Sequence, residues 1–512
     1  SGTGTGSGTG AGNGTGTGGG SGAKTQRVLR VGMDVDAGTL DPRLGSDTTS
    51  YRVTSLLFDG LVELDEKGKP QPSLAESWEN PDPTTWIFHL RQDAKFTDGT
   101  PVTADDVVYT FQTILDPAFK APRRSLFQPI NAIEVVDPHT VKFTLSEPYA
   151  PLLSYLDMGV VPKHLAETAG ASFGNEPVGS GPFQLKSWER NNAIRLEPNP
   201  DWWGGEPKLG AIDFQIVPDN TSRAAALESG DLDLIMSPLS PQDVQRLAAD
   251  SRFVTTHIAG LGYTYFNFNV KDPILSDVRV RKAIAMLIDQ KTIVNSIYQD
   301  VDQAASSILL PGWPVYSPDV HQPTYDAQAA QQLLSEAGWK DSNGDGILDK
   351  GGKKLSLVIS THSEDPNRTQ VVEYLVTQLK QTGIDATSQV SDWPSFSSSV
   401  QNGKHQVALL GWLNLVDPDR GMYAQLHTGG SSNWNGYSNP QLDQYLDQGR
   451  RDSDPAKRAA AYQAAAKIVA DELPFYILTY QGYVTIQSPK LQGFVPAANG
   501  SVRSLARASW GQ

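Results

Sequence analysis

Strands and helices alternate along the second half of the chain, and that alternation limits the fold more than any other feature. Asp326 caps a helix ending at Ala337-Gly338, and Lys354 to Ile359 reads as a strand. Asn367 to Lys380 is an amphipathic helix stopped by Gly383, Ile384 to Val390 is a strand again, and Gln406 to Leu410 is a further apolar strand. A strand that returns through a helix to the next strand implies parallel pairing with right-handed crossovers. The first half is richer in hairpins. Val28 to Met33 and Trp86 to Leu90 read as strands, and Phe96 to Thr100 carries an Asp-Gly turn. Thr103 is the N-cap of a helix whose first turn holds Asp105 and Asp106, where the helix dipole favours acids. Val107, Val108, Phe111, Ile114 and Leu115 form its apolar stripe, and Tyr109 points about 150° away from it, as a surface residue or as one wall of a cleft. The whole is an α/β architecture with at least two lobes, and 512 residues set a prior of about three domains.

Composition closes off several chemistries. Cysteine is absent, which excludes thiol catalysis, Cys-ligated zinc, iron–sulfur clusters and disulfides. With 42 Lys and Arg against 57 Asp and Glu the chain carries a net charge of −15, which argues against nucleic acid or anionic lipid as the main partner. No apolar run approaches the ~20 residues of a membrane span, and no charged-then-apolar signal peptide opens the sequence. Residues 1–22 contain 12 Gly among Ser, Thr, Ala and one Asn, so residues 1–26 read as a flexible tether, either a natural spacer or an artificial linker. A hydrolase would need a positioned nucleophile and base; there is no G-x-S-x-G and no H-E-x-x-H, and the 8 His are scattered. Asp341, Asn343, Asp345, the backbone of Ile347 and Asp349 match alternate positions of a calcium loop around Gly346, but position 12 is Gly352 rather than Glu. A plain Asp/Asn/Gly-rich turn accounts for the same residues, so no cofactor is expected unless calcium sits there.

Several segments together resemble the family 5 extracellular solute-binding proteins of bacterial ABC importers. They are Leu57-Phe58-Asp59-Gly60-Leu61-Val62, Pro72 to Trp78, Trp86 to Leu90, Phe96 to Val107, Gly179-Ser180-Gly181-Pro182-Phe183, Asn199 to Trp203, Ala226 to Asp233 and Asp277 to Ile284. The resemblance implies a bilobal, periplasmic-binding-protein-like fold with a hinge and an extra domain inserted in the first lobe. In residue ranges, 27–54, 178–262 and 482–512 would build the first lobe, 55–177 the inserted domain and 263–481 the second lobe. It also implies a monomeric, non-enzymatic receptor that closes on a small-molecule ligand and delivers it to a membrane permease. The location implied is extracytoplasmic, either periplasmic or as a cell-surface lipoprotein whose lipidated Cys would precede this sequence.

Peptides or peptide-like solutes are the ligands expected, with oligosaccharide as the alternative and a cleft hydrolase as the rival from another class. Aromatic and amide side chains suit such a cleft. Tyr109 matches a family position that faces ligand. Trp412 follows an apolar strand, where α/β sheets bind ligands. Trp434, Asn435 and Tyr437 lie in a second loop, and Tyr265, Asn267 and Asn269 lie near the crossing between lobes. Peptide receptors of the family hold the α-ammonium with an Asp after this Gly-Trp. The matching position here is Asn414, so Asp417 or Asp419 would have to substitute, or the ligand is neutral.

Overall fold

A computed structural model describes residues 27–236 and 238–512, and the Gly-rich segment read as a tether lies outside the described residues. The alternation of the second half produces the expected parallel core. Strand Ser356–His362 pairs in parallel with Asp385–Ser391 and with Val407–Trp412. Helices Pro366–Gln381 and Trp393–Gln401 make the crossovers. These strands continue into one eleven-stranded sheet that runs through both lobes. Its first-lobe part contains Val28–Met33, which pairs in parallel with Ala211–Ile216, followed by the antiparallel hairpin Phe183–Glu189 and Ala193–Pro198.

Two long strands, Val254–Phe268 and Phe475–Gln487, join the halves and run antiparallel to each other. Their ladder breaks between Ala259 and Tyr263, where Gly260, Leu261 and Gly262 bulge out of register. The opposite position, Gly482, approaches so closely that a Cβ there would lie 2.0 Å from the Val301 carbonyl oxygen. Only glycine lets the backbones meet at this crossing. The second-lobe sheet is covered on one face by Val278–Met286, Ala327–Glu336 and Pro366–Gln381, and on the other by Pro418–Leu426, Pro440–Arg451 and Pro455–Glu472.

A separate antiparallel sheet of Ala75–Asp82, Thr85–Leu90, Thr140–Leu145 and Ile130–Asp137 forms the smaller domain. Helix Ala104–Leu115 packs on it. Phe111 meets Phe127 and Phe143 edge-on at 5.3 and 5.5 Å, and Phe88 adds a fourth ring 5.2 Å from Phe143. Asp106 accepts from the Thr103 backbone N–H (2.9 Å), which fixes the helix start.

The sequence segments that carry the resemblance are mostly builders. Asp59, fully buried, accepts from the indoles of Trp202 (3.3 Å) and Trp203 (2.8 Å) and from Ser180 (3.0 Å), and forms an ion pair with Arg503. One carboxylate thus ties four distant stretches together. Gly179 and Gly181 let that chain pass Leu57, where a Cβ would come within 2.0 and 2.5 Å of its backbone.

Candidate ligand-binding cleft

Where the two lobes face each other they enclose a small polar chamber. The smaller domain contributes Arg123, Tyr155 and Asp157, and the second lobe contributes Asn414, Val416 and Arg420. Arg123 follows the helix of the smaller domain and is tethered by donating to the Pro42 carbonyl (3.0 Å). Asp157 accepts from the Tyr51 hydroxyl (2.8 Å), which in turn accepts from the Asn499 side chain (3.1 Å). Burial raises the Asp157 carboxyl above its ordinary range, against the pull of Arg123 and Arg420. Asn414 holds a left-handed backbone (φ +54°), which its short amide side chain tolerates, and it follows Leu413, whose side chain is 62% exposed. Three lining atoms are sealed from solvent without a partner: Arg123 Nε, the Tyr155 hydroxyl and Asn414 Oδ1.

Of the residues expected from sequence, Asn414 lines this chamber. Trp412 and Trp434 are half-buried and stack on each other at 5.7 Å, and the Trp412 indole donates to the Tyr265 hydroxyl (3.0 Å). Tyr265 itself is fully buried against Phe475 at 4.5 Å, so it is core. Asn267, also fully buried, faces the His405 ring (2.9 Å) inside the sheet, and burial pushes that histidine down to about 4, leaving it neutral. Asn269 donates to the carbonyls of Gly403 and His405 and fixes that turn. Asn435 bonds the Pro474 carbonyl, and Tyr437 donates to Glu472; both are buried.

Asp417 and Asp419 do not offer a substitute for the missing ammonium partner. Asp417 is held by Arg458 (2.6 and 2.8 Å) and Asp419 by Arg450 (2.7 and 2.9 Å), both as buried two-point pairs. Burial opposes the arginine charges, yet these carboxylates outweigh it and hold both guanidiniums above their ordinary range. Tyr109 packs against the first-lobe core with Arg43 over its ring (5.9 Å), because the helix that carries it is wedged between two cores.

The calcium-loop residues satisfy themselves. Asp341 accepts from the backbone N–H groups of Gly344, Asp345 and Gly346, Asn343 from that of Asp345, Asp345 from that of Ile347, and Asp349 from Ser342. Among the described residues no group of three or more His, Asp or Glu is placed to hold a metal ion.

Arg123, Tyr155, Asp157 and Arg420 were not foreseen. The adjacent Arg123-Arg124 pair and an arginine just after Asp417-Pro418-Asp419 were visible signals, but basic residues in loops usually mark solvated surface.

Two lobes joined by crossing strands around an enclosed chamber define a hinged solute receptor of the periplasmic-binding-protein type. The family model for bacterial extracellular solute-binding proteins, family 5 Middle, matches residues 69–433, and the chain belongs to this family. It is 28% identical over 469 residues to the oligopeptide-binding protein AppA of Bacillus subtilis, covering 88% of this chain and 85% of that protein. It is 28% identical to the dipeptide-binding protein of Escherichia coli, covering 89% of each. The structure of B. subtilis AppA in complex with a nonapeptide superposes with a TM-score of 0.81 at 26% identity, over 95% of this chain and all of that one.

Proposed function

We propose that the chain captures a peptide or peptide-like solute between its lobes and delivers it to the permease of an ABC importer. The observation that carries this reading is the chamber walled from both lobes. The chamber, about 10 Å³, marks where the two walls meet, and a solute that touches both lobes at once favours the closed state. Peptide is favoured over oligosaccharide by the relatives named above, and because a sugar needs an open aromatic platform whereas Trp412 and Trp434 cover each other. Binding proceeds without a chemical step, a reading supported by relatives that are solute-binding proteins rather than enzymes. One chain supplies both walls of the chamber, which favours a monomer.

The place of action is extracytoplasmic, as the family description implies. Among the described residues no helix is long and apolar enough to cross a membrane. The Asp341–Asp349 loop serves as a turn that joins helix Ala327–Glu336 to the strands after it. Mass spectrometry of the purified protein, followed by dialysis and rebinding, tests the function. The expected result is a bound peptide recovered unchanged; a bound sugar, or recovery of cleaved products, overturns it.

A further inference from the structure

The loop that carries Asn414 into the cleft is anchored from two sides at the next residue, Leu415. Its N–H donates to the Leu261 carbonyl (2.9 Å), and its own carbonyl accepts from the Trp313 indole (2.7 Å). Leu261 is the middle residue of the bulge at the strand crossing, and its N–H donates to the Ala498 carbonyl (2.9 Å). Ala498 belongs to the C-terminal stretch whose Val502 and Leu505 pack into the first-lobe core. Its N–H donates in turn to the Glu66 carbonyl of the smaller domain (2.8 Å). One file of hydrogen bonds thus runs from the smaller domain, through the crossing, to the cleft loop and the second lobe. The side chains along it are packed as closely. Leu261 is 4% exposed and fills a socket between a smaller-domain turn and the second lobe. A Cβ at Gly68 would lie 3.2 Å from one of its methyls, and a Cβ at Gly312 2.9 Å from the other. Trp313 is buried with its ring under helix Pro418–Leu426, where a Cβ at Gly421 would lie 2.8 Å from it. Leu415 is fully buried in the same core.

Opening the lobes turns the backbone at this crossing. Leu261 holds the first-lobe segment with its N–H and the cleft loop with its carbonyl, so a change of lobe angle strains one bond or drags the loop along. The exposed Leu413 and the left-handed Asn414 directly precede the anchored residue, and a shift of Leu415 re-aims both. We infer that Leu261 is a positioning residue that couples the angle between the lobes to the pose of the loop at 413–416, with Trp313 clamping that loop from the second-lobe side. Neither residue lines the chamber; both act through Leu415. This rests on the peptide reading above and adds how closure reaches the cleft.

Leu261→Ala and Trp313→Phe test the inference on the full chain, beside Leu442→Ala, a control from the same core on helix Pro440–Arg451. Should Leu261→Ala not fold, Leu261→Val, one methylene shorter, takes its place. Amide hydrogen exchange at 413–416 is followed without ligand, and tri- to penta-alanine are titrated by calorimetry. Both loop variants should exchange roughly tenfold faster at 413–416, as for a segment that opens locally. Peptide affinity should fall roughly 3- to 30-fold, the scale of one lost buried hydrogen bond. Leu442→Ala should lower the melting temperature yet keep wild-type exchange at 413–416 and wild-type affinity, as a purely structural residue does. Unchanged exchange or unchanged affinity in the Leu261 variant, or equal changes in the control, overturns the positioning role and leaves the peptide reading standing. Effects confined to the Leu261 variant remove Trp313 from the clamp. If the wild-type chain binds no peptide of the series, the peptide reading falls, and the exchange rates alone decide the positioning role.

Discussion

Asp302 sits beside the crossing of the two long strands. One carboxylate oxygen accepts from the Gly482 N–H (3.1 Å) and the other from the Thr479 hydroxyl (2.7 Å). Burial pushes its pKa up to about 6 from an ordinary 3.8, although both hydrogen bonds pull it down. A folded-state pKa above the unfolded one means that the native state binds the extra proton between those values. The stability contribution is therefore full below about pH 4 and is lost as pH rises through about 6. Asp302→Asn keeps the shape but does not titrate, so urea melts at stepped pH should show a flatter stability profile between about pH 4 and 6. An unchanged slope would assign the dependence to another group. Trp412→Ala should cost about 3 kcal/mol by removing the stack on Trp434 and the donor to the buried Tyr265 hydroxyl, read as a lowered denaturation midpoint. At this scale the sequence misleads in a consistent way. Tyr265, Asn267 and Tyr437 are the residue types that line clefts, yet each is buried and already bonded to a neighbour within the fold. Residue type alone does not say whether a partner already exists inside the fold.

Elements were far more legible than side chains. The strand expected at 384–390 is found at Asp385–Ser391, and the helix expected at 367–380 at Pro366–Gln381, since hydrophobic period and caps act locally. The helix stripe held at Val107, Phe111 and Ile114, but Val108 and Leu115 are only partly buried. Tyr109 was unreadable because a second core covers the opposite face of that helix, a fact of tertiary packing. The turn at Asp341–Asp349 carries its own test. With its carboxylates already accepting from the loop backbone, thermal melts in calcium and in chelator should superimpose, whereas a rise in melting temperature with calcium would reveal a bound ion. At the strand crossing, Gly482→Ala should lower stability by roughly 2 kcal/mol or more, because its Cβ would overlap the Val301 carbonyl oxygen. A wild-type melt for that variant would show that the crossing yields easily.

Across the whole molecule the lobes touch at further points. Arg451 pairs with Glu147 at 3.0 Å, and the Ala150 N–H donates to the Arg450 carbonyl (2.7 Å). The ion pair is exposed and contributes about 0–1 kcal/mol, but even 1 kcal/mol shifts an open–closed equilibrium roughly fivefold. Glu147→Gln should therefore raise the mean radius of gyration of the unliganded protein in solution scattering and leave the ligand-saturated value unchanged. An identical unliganded profile would remove this contact from the balance. The bilobal plan was readable from ordered motifs, whereas these interlobe contacts join positions some 300 residues apart and left no local trace. The unbroken sheet has a further consequence for how the molecule is made. Because Val254–Phe268 and Phe475–Gln487 pair with each other along almost their full length, neither lobe completes its sheet until Phe475–Gln487 emerges during synthesis. A nascent chain halted before Phe475 would present a long unprotected edge, the kind of surface that holds chaperones and seeds aggregates.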